Sequence, residues 1–449
     1  MAAEPGDNPI IQTGDPLGQW QSCRQGWEES KLWDLADYIN GRAFKAADFA
    51  DHGLHVIKIT ELKYGISDET ASYPGEVDQK HLIRDGDVLF AWSGNPETSL
   101  DAHYWRGNDA VLNQHIFRVV PKRGIDKKYL YYLLKYLRPT FIRTARDKAT
   151  SMGHVKVSDL KRLIAKIPPT PVQTAIGEVL GSLDERIEVN RRINQNLENT
   201  IRAVFKSWFV DFDPVRARMD GKPPTHLGSD VAGLFPDSMT HDAEGNLLPA
   251  GWRMSTIGEI GEICKNSIKP ERIDPDTHYI ALNHMPRRKL SLETWGLAEN
   301  VASGKYQFRK GDILFGKLRP YFHKVGVPAV DGVCSTDILV VVPKTSDWYG
   351  LLLGHLTSDD LVSYADMTST GTRMPRANWN DISRYGIVLP STNLARLFSD
   401  QVCSFVAKIH SNIDELISLA ELRDTLLPAL MTGTVPVLDL QQSQAKARE

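Results

Sequence analysis

The sequence predicts an α+β chain built by internal duplication. Two similar globular domains are separated by two long antiparallel coiled-coil helices, with a pseudo-twofold relation between the halves. Three observations predict this. First, Ile176, Leu180, Leu183, Ile187, Leu197, Ile201, Val204 and Trp208 recur mostly three or four apart within residues 171–209, the spacing of a narrow apolar seam on a helix. At about 1.5 Å per residue that helix is roughly 57 Å long, which calls for a partner along its length. Second, the chain repeats itself. Gly251-Trp252 echoes Gly26-Trp27, and Arg309-Lys310-Gly311-Asp312 echoes Arg84-Asp85-Gly86-Asp87, while Val388-Leu389-Pro390 echoes Lys166-Ile167-Pro168. A period this long marks a duplicated domain, not a solenoid. Third, the first globule opens with strand-like runs and closes with a helical one, an α+β order.

In chain order, residues 1–25 read as an N-terminal arm without a core of its own. Residues 26–168 form the first globule, with strand-like runs at 55–59, 87–92 and 115–120 and a helical stretch at 127–146. The first long helix occupies 169–212, entered through Pro168-Pro169-Thr170-Pro171, since proline is tolerated in a first turn whose N–H groups are unpaired anyway. Residues 213–250 shift to Pro, Gly, Asp and small side chains and read as an irregular linker. The second globule spans 251–390, the second long helix 391–433 and a polar tail 434–449. Seam positions are Ile176, Leu183, Ile187, Asn190, Leu197 and Ile201 on the first helix, and Val402, Ile409, Asn412, Leu416 and Leu419 on the second. Asn190 and Asn412 occupy matching places. Either they fix register inside the seam at a cost in stability, or they point to solvent at its edge.

Composition narrows the function. The chain has 449 residues and a net charge of -3, within the range of a globular protein of two to four domains. It holds no run of 18 apolar residues, and its acidic, polar N-terminus predicts neither a signal peptide nor a membrane span. Cys23, Cys264, Cys334 and Cys403 stand apart, which predicts neither a disulfide framework nor a metal site and fits a reducing cytoplasm. The overall charge hides two basic stretches: nine Lys/Arg against Asp126 and Asp147 in 122–148, and nine against three acids in 282–324. Such local excess permits nucleic-acid binding.

Catalytic motifs are missing. Gly311 to Lys317 has phosphate-loop spacing, but Leu318 stands where Ser or Thr must hold Mg²⁺, and the interior is a β-forming run. No glycine-rich cofactor turn follows a strand, no Gly-x-Ser-x-Gly elbow is present, and no Asn/Asp-Pro-Pro-aromatic tetrad exists to hold a flipped base. What remains is a set of loops rich in side chains suited to DNA. In the first globule these carry Arg42, Lys45, Trp92, Ser93, Asn113, Gln114, His115, Ser151 and His154. In the second they carry Lys317, Arg319, Tyr321, Ser335, Thr336, Thr370, Thr372, Arg373 and Arg376. Arg, Asn and Gln pair with base edges, whereas Lys, Ser and Thr suit phosphates. A solvated turn is the plain alternative for any one of them, and the case rests on both globules carrying such loops at corresponding places.

Several segments resemble the specificity subunits of type I restriction–modification systems. They include Ile167-Pro168-Pro169 before the first long helix, Ser207-Trp208-Phe209-Val210-Asp211-Phe212-Asp213-Pro214 after it, and Lys310-Gly311-Asp312-Ile313-Leu314-Phe315-Gly316-Lys317-Leu318-Arg319-Pro320-Tyr321. Gly332 to Asp337, Thr368 to Met374 and Leu426 to Gly433 are similar too. The resemblance implies two target-recognition domains, each reading half of a bipartite, asymmetric site in double-stranded DNA. It also implies that the paired helices act as spacer and as docking surface for two methyltransferase subunits, joined by motor-nuclease subunits. S-adenosylmethionine, ATP and Mg²⁺ would then serve those partners, and this chain would carry no catalytic residue, cofactor or metal. Ala91-Trp92-Ser93 departs from the Lys-Leu-Arg run of the second globule. A self-sufficient methyltransferase or nuclease and a protein-binding scaffold are the competing readings. Turnover by the isolated chain would favour the first, and absence of DNA binding by the assembled complex the second.

Overall fold

A computed structural model describes residues 24–146, 153–154, 157–224, 227–371 and 373–437. Ser151, Thr372, most of the N-terminal arm and most of the polar tail lie outside these residues. The chain divides into two compact units, Met1–Glu185 with Ala420–Glu449, and Arg186–Leu419.

In the first unit, a four-stranded antiparallel sheet runs in the order Ala36–Asn40, Ile116–Pro121, Val88–Ala91, Asp101–Tyr104. The strand Val88–Ala91 is apolar throughout because both of its faces are covered. Val88 and Phe90 point into a core shared with Tyr129, Phe141, Ile176 and Leu180, whereas Leu89 and Ala91 point into a second core with Ile57, Ile83, Trp105 and Leu112. Strand side chains alternate between faces, so two cores need an unbroken apolar run. The second core lies under a sheet ordered Ser72–Tyr73, Leu54–Ile57, Ala110–Leu112, Leu82–Ile83, whose central pair, Val56 beside Val111, is parallel. An antiparallel clasp, Glu28–Lys31 against Ile164–Ile167, closes the domain. Helix α1 (Lys127–Arg146) buries Tyr129, Leu130, Leu133, Leu134 and Phe141.

The second unit repeats this plan. Its clasp pairs Arg253–Thr256 with Gly386–Leu389. One five-stranded sheet runs Gly261–Ile263, Ile338–Pro343, Ile313–Gly316, Val325–Pro328, Ser291–Leu292. The other runs Ser267–Ile268, Lys305–Phe308, Gly332–Cys334, His278–Ile280, Gly296–Leu297. It too contains a parallel pair, Tyr279 beside Val333. The long helix α1 of the first domain is answered here by two shorter ones, Tyr349–Leu356 and Asp359–Met367, the second capped by the Ser358 hydroxyl accepting from Leu361 N–H.

Helices α2 (Thr170–Phe209) and α3 (Thr392–Met431) each run forty residues. They pack antiparallel in both units. In the first, Ile176 shares a core with Leu430 and Met431, and Asp184, two turns on, meets Arg423 at 2.6 Å. In the second, Arg186 meets Glu415 at 2.6 Å, Asn412 donates to Asn194 at 2.7 Å, and Phe205 lies against Phe398. Ile176, Leu183, Ile187, Asn190, Ile201, Val402, Ile409, Asn412 and Leu416 are buried, whereas Leu197, Val204 and Leu419 are half-buried. The fully buried positions beside the half-buried pair on α2 are Glu198 and Phe205. Asn190 and Asn412 are both inside, but the partner of Asn412 is Asn194.

The segment 213–250 is not an irregular linker. It carries a helix, Asp213–Met219, a turn of helix at Ser229–Ala232, and a hairpin pairing Met239–His241 with Leu247–Pro249. Its order comes from two side chains that composition does not reveal. The Arg218 guanidinium donates to the carbonyls of Ala232, Gly233 and Phe235. The Phe235 ring then packs edge-on against Trp208 at 5.1 Å, within an aromatic cluster that includes Phe205, Phe209, Trp252 and Phe398. Burying a ring of that size is worth about 1.5–3 kcal/mol.

Candidate nucleic-acid interface

In the second domain, the strand Ile313–Gly316 ends at Gly316 and the chain leaves the sheet through Lys317, Leu318 and Arg319. Backbone hydrogen bonds lace this exit to two other loops. Lys317 N–H donates to Asp337 at 2.9 Å, Arg319 N–H to Pro375 at 2.7 Å, and Ala377 N–H to Lys317 at 2.9 Å. Leu318 bridges to Arg376, and Thr370 bridges to Arg376 across the turn. Residues 317–321, 335–337 and 370–376, far apart in sequence, thus share one edge. Arg319 holds φ 51°, in the left-handed region, a conformation costing a non-glycine residue on the order of 1–3 kcal/mol and found where neighbouring structure over-determines the backbone. Its guanidinium donates to the Arg373 carbonyl at 3.4 Å and stays half-exposed.

The predicted residues differ in availability. Tyr321, Thr336, Thr370 and Arg373 are exposed, and Lys317 is half-buried. Arg376 is also exposed, but its Nε donates to the Asp337 carboxylate at 3.0 Å, so part of its charge is spent fastening two loops. Ser335 accepts from Asp337 N–H at 3.3 Å, and its hydroxyl stabilises the turn. One basic residue was missed: the Arg287 guanidinium lies 4.2 Å from the Phe322 ring centroid, beside Tyr321. The run Arg287-Arg288-Lys289 within the second basic stretch was its available signal.

The first domain assembles its loops similarly. Arg42 bridges to Asn113, Gln114 N–H donates to the Arg42 carbonyl at 2.9 Å, and Trp92 N–H donates to the His115 carbonyl at 3.3 Å. Ser93 and Gly94 pair with His154 and Gly153. This pairing occupies the place of the Leu318–Arg376 bridge, with offsets of the repeat between them, so the duplication brings equivalent segments together in both domains. Arg42 Nη1 donates to the Tyr73 hydroxyl at 2.7 Å, and its guanidinium stacks 4.5 Å from that ring. The Trp92 indole donates to Asn40 at 3.1 Å and stacks on Phe117. Lys45 and His115 are exposed, and Asn113 and Gln114 are half-buried. Ser93 is a correction: it is 4% exposed, because the short strand Ser93–Gly94 turns its side chain inward, and its hydroxyl does not face solvent.

No described helix is long and apolar enough to cross a membrane, and the described residues contain no His/Cys/Asp/Glu cluster able to hold a metal ion. The arrangement offers shape, hydrogen-bond donors and positive charge on two similar edges.

Comparison with known proteins agrees with this picture. The family model described as a type I restriction modification DNA specificity domain matches residues 24–199. The HindI specificity subunit of Haemophilus influenzae is 26% identical over 468 residues, covering 91% of this chain and 99% of that protein. The MjaIX specificity subunit of Methanocaldococcus jannaschii is 24% identical over 347 residues, covering 74% of each. The crystal structure of an S subunit from M. genitalium shares the fold, with a TM-score of 0.51, 16% identity and coverage of 90% of this chain and 96% of that one. With its duplicated domains and paired helices, the chain is similar along most of its length to the specificity subunits of type I restriction–modification systems.

Proposed function

We propose that this chain is the non-catalytic reader of a cytoplasmic restriction–modification complex. Each globular domain recognises one half of a bipartite, asymmetric site in double-stranded DNA. The paired helices set the unread gap and dock two methyltransferase subunits, which motor-nuclease subunits join. S-adenosylmethionine, ATP and Mg²⁺ act in those partners. The observation that carries the reading is the convergence, in both domains, of the same three or four loop segments, rich in Arg, Asn, Gln, Lys and hydroxyl side chains, at one edge of the domain. Readers of two half-sites on one face of B-DNA lie about 34–36 Å apart or a multiple of it. A forty-residue helix, about 60 Å long at 1.5 Å per residue, is long enough to span that separation.

Arg319→Ala and Arg373→Ala test the assignment. In the complex with the methyltransferase subunits, each lost base contact should cost about 1–3 kcal/mol of discrimination, confined to one half-site. Equal weakening on specific and random duplexes would make these arginines phosphate anchors instead.

A further inference from the structure

Helix α2 buries a carboxylate where its seam calls for an apolar side chain. Glu198 is 1% exposed. Its Oε2 accepts from Leu290 N–H at 2.8 Å and its Oε1 from Ser291 N–H at 2.9 Å. Arg202, one turn on, lies 3.6 Å from the same carboxylate and donates to the Arg288 carbonyl at 2.7 Å. Two turns before Glu198, Arg191 meets Glu293 at 3.0 Å. Desolvating a carboxylate is costly unless every oxygen is satisfied, and two charge-assisted bonds to adjacent backbone N–H groups admit a single geometry.

The segment so gripped, residues 288–293, leads directly to the reading loop. Leu290 accepts from Val327 N–H at 2.9 Å, and Arg288 N–H donates to the His323 carbonyl at 2.9 Å. His323 ends the turn that begins at Arg319 and contains Tyr321. Among the described residues only Phe212, Arg288, Arg319 and His323 are non-glycine residues at positive φ, and three of these four lie on this path. Strained backbone persists where surrounding bonds over-determine it. The strain begins at the segment that Glu198 holds and ends at the loop bearing Arg319. The repeat has no equivalent: 222 residues further on stands Ala420.

We infer that Glu198 is a positioning residue for DNA recognition by the second domain, anchoring its reading loop to the spacer helix through residues 288–291. The inference rests on the proposed function above. It touches no DNA itself; it sets where Arg319 and Tyr321 stand relative to α2.

The test uses the complete complex of this chain with its methyltransferase subunits, and duplexes altered in either half-site. Glu198→Gln exchanges one acceptor oxygen for a donor facing a backbone N–H. Glu198→Asp keeps the charge but is too short to reach both N–H groups, and serves if the first variant fails to fold. Discrimination in the half-site read by the second domain should fall about 2- to 30-fold, the range for mutations along a coupling path. The other half-site should be read as before. Ile260→Val, a buried position in the same domain, supplies a stability control that leaves both halves unchanged. Hydrogen-exchange protection of Leu290 and Ser291 amides should drop in the Glu198 variants without DNA. Unchanged protection, intact discrimination, equal loss in both halves, or an equal effect of Ile260→Val would each overturn the anchor. A parent complex with no site preference would overturn the proposed function, and the inference with it. A selective parent with unaffected Glu198 variants would overturn the inference alone.

Discussion

Replacing the buried amide pair in the helix seam should produce opposite effects singly and together. Asn412 is fully buried and Asn194 is 1% exposed. One hydrogen bond of 2.7 Å joins them, from Asn412 Nδ2 to Asn194 Oδ1, while Asn194 Nδ2 and Asn412 Oδ1 have no hydrogen-bond partner. Asn412→Leu removes one orphan acceptor but breaks the only bond of the pair and leaves Asn194 Oδ1 stranded beside its already unpaired Nδ2, and each buried unsatisfied group costs about 1–3 kcal/mol. Asn194→Leu acts the same way on Asn412. The double variant removes both orphans of this pair and adds apolar contact, so it should be near neutral or more stable than the parent. A unit of this size shifts its Tm by about 2–4 °C per kcal/mol. Each single variant is therefore expected to melt several degrees lower by helical circular dichroism, and the double variant to recover. What the double variant gives up is the polar marker of register, which all-apolar seams lack. If the double variant melted at the sum of the two single losses, the amides would act independently and the seam account would fail.

Other outcomes follow from particular contacts. Arg218→Ala should free the carbonyls of Ala232, Gly233 and Phe235, at a cost of about 1–3 kcal/mol. Limited proteolysis should then cut within residues 220–238 faster than in the parent, and an unchanged digestion rate would contradict the role given to this side chain. His355 is buried edge-on to Phe205 at 4.8 Å, and burial pushes its pKa down to about 3. The folded chain therefore binds fewer protons there than the unfolded chain, whose histidine titrates near about 6.5. Stability from this group is present above about 6.5 and is lost as pH falls toward about 3. His410, pushed to about 4 mainly by burial, adds to the same loss. In His355→Leu the melting temperature should fall less steeply over this window, and parallel pH curves for parent and variant would refute the assignment.

The parts of the fold readable in sequence are those written as spacing. The three-and-four recurrence from Ile176 to Trp208 and the proline entry at 168–171 mark α2, and the repeated segments mark the duplication. Asn194 and Glu198 escape such a reading because a polar residue at a seam position carries no apolar signal, although both continue the rhythm of Ile187 and Asn190. Segment 213–250 misleads for a related reason: one arginine capping three carbonyls orders a stretch whose composition says loop. At the interface, chemistry was visible and geometry was not. Leu318 meets Arg376, 58 positions further along the chain, and only the folded sheet shows it. The left-handed backbone of Arg319, the engagement of Arg376 with Asp337 and the inward turn of Ser93 are likewise consequences of packing.

The central claim is that two similar domains on one chain each read half of a divided site. Its most direct test is selection of bound or methylated duplexes from a random pool by the complex of this chain with its methyltransferase subunits, sequenced at base resolution. Two specified blocks separated by an unspecified gap of constant length are expected. A single contiguous motif, or a gap of variable length, would contradict the account.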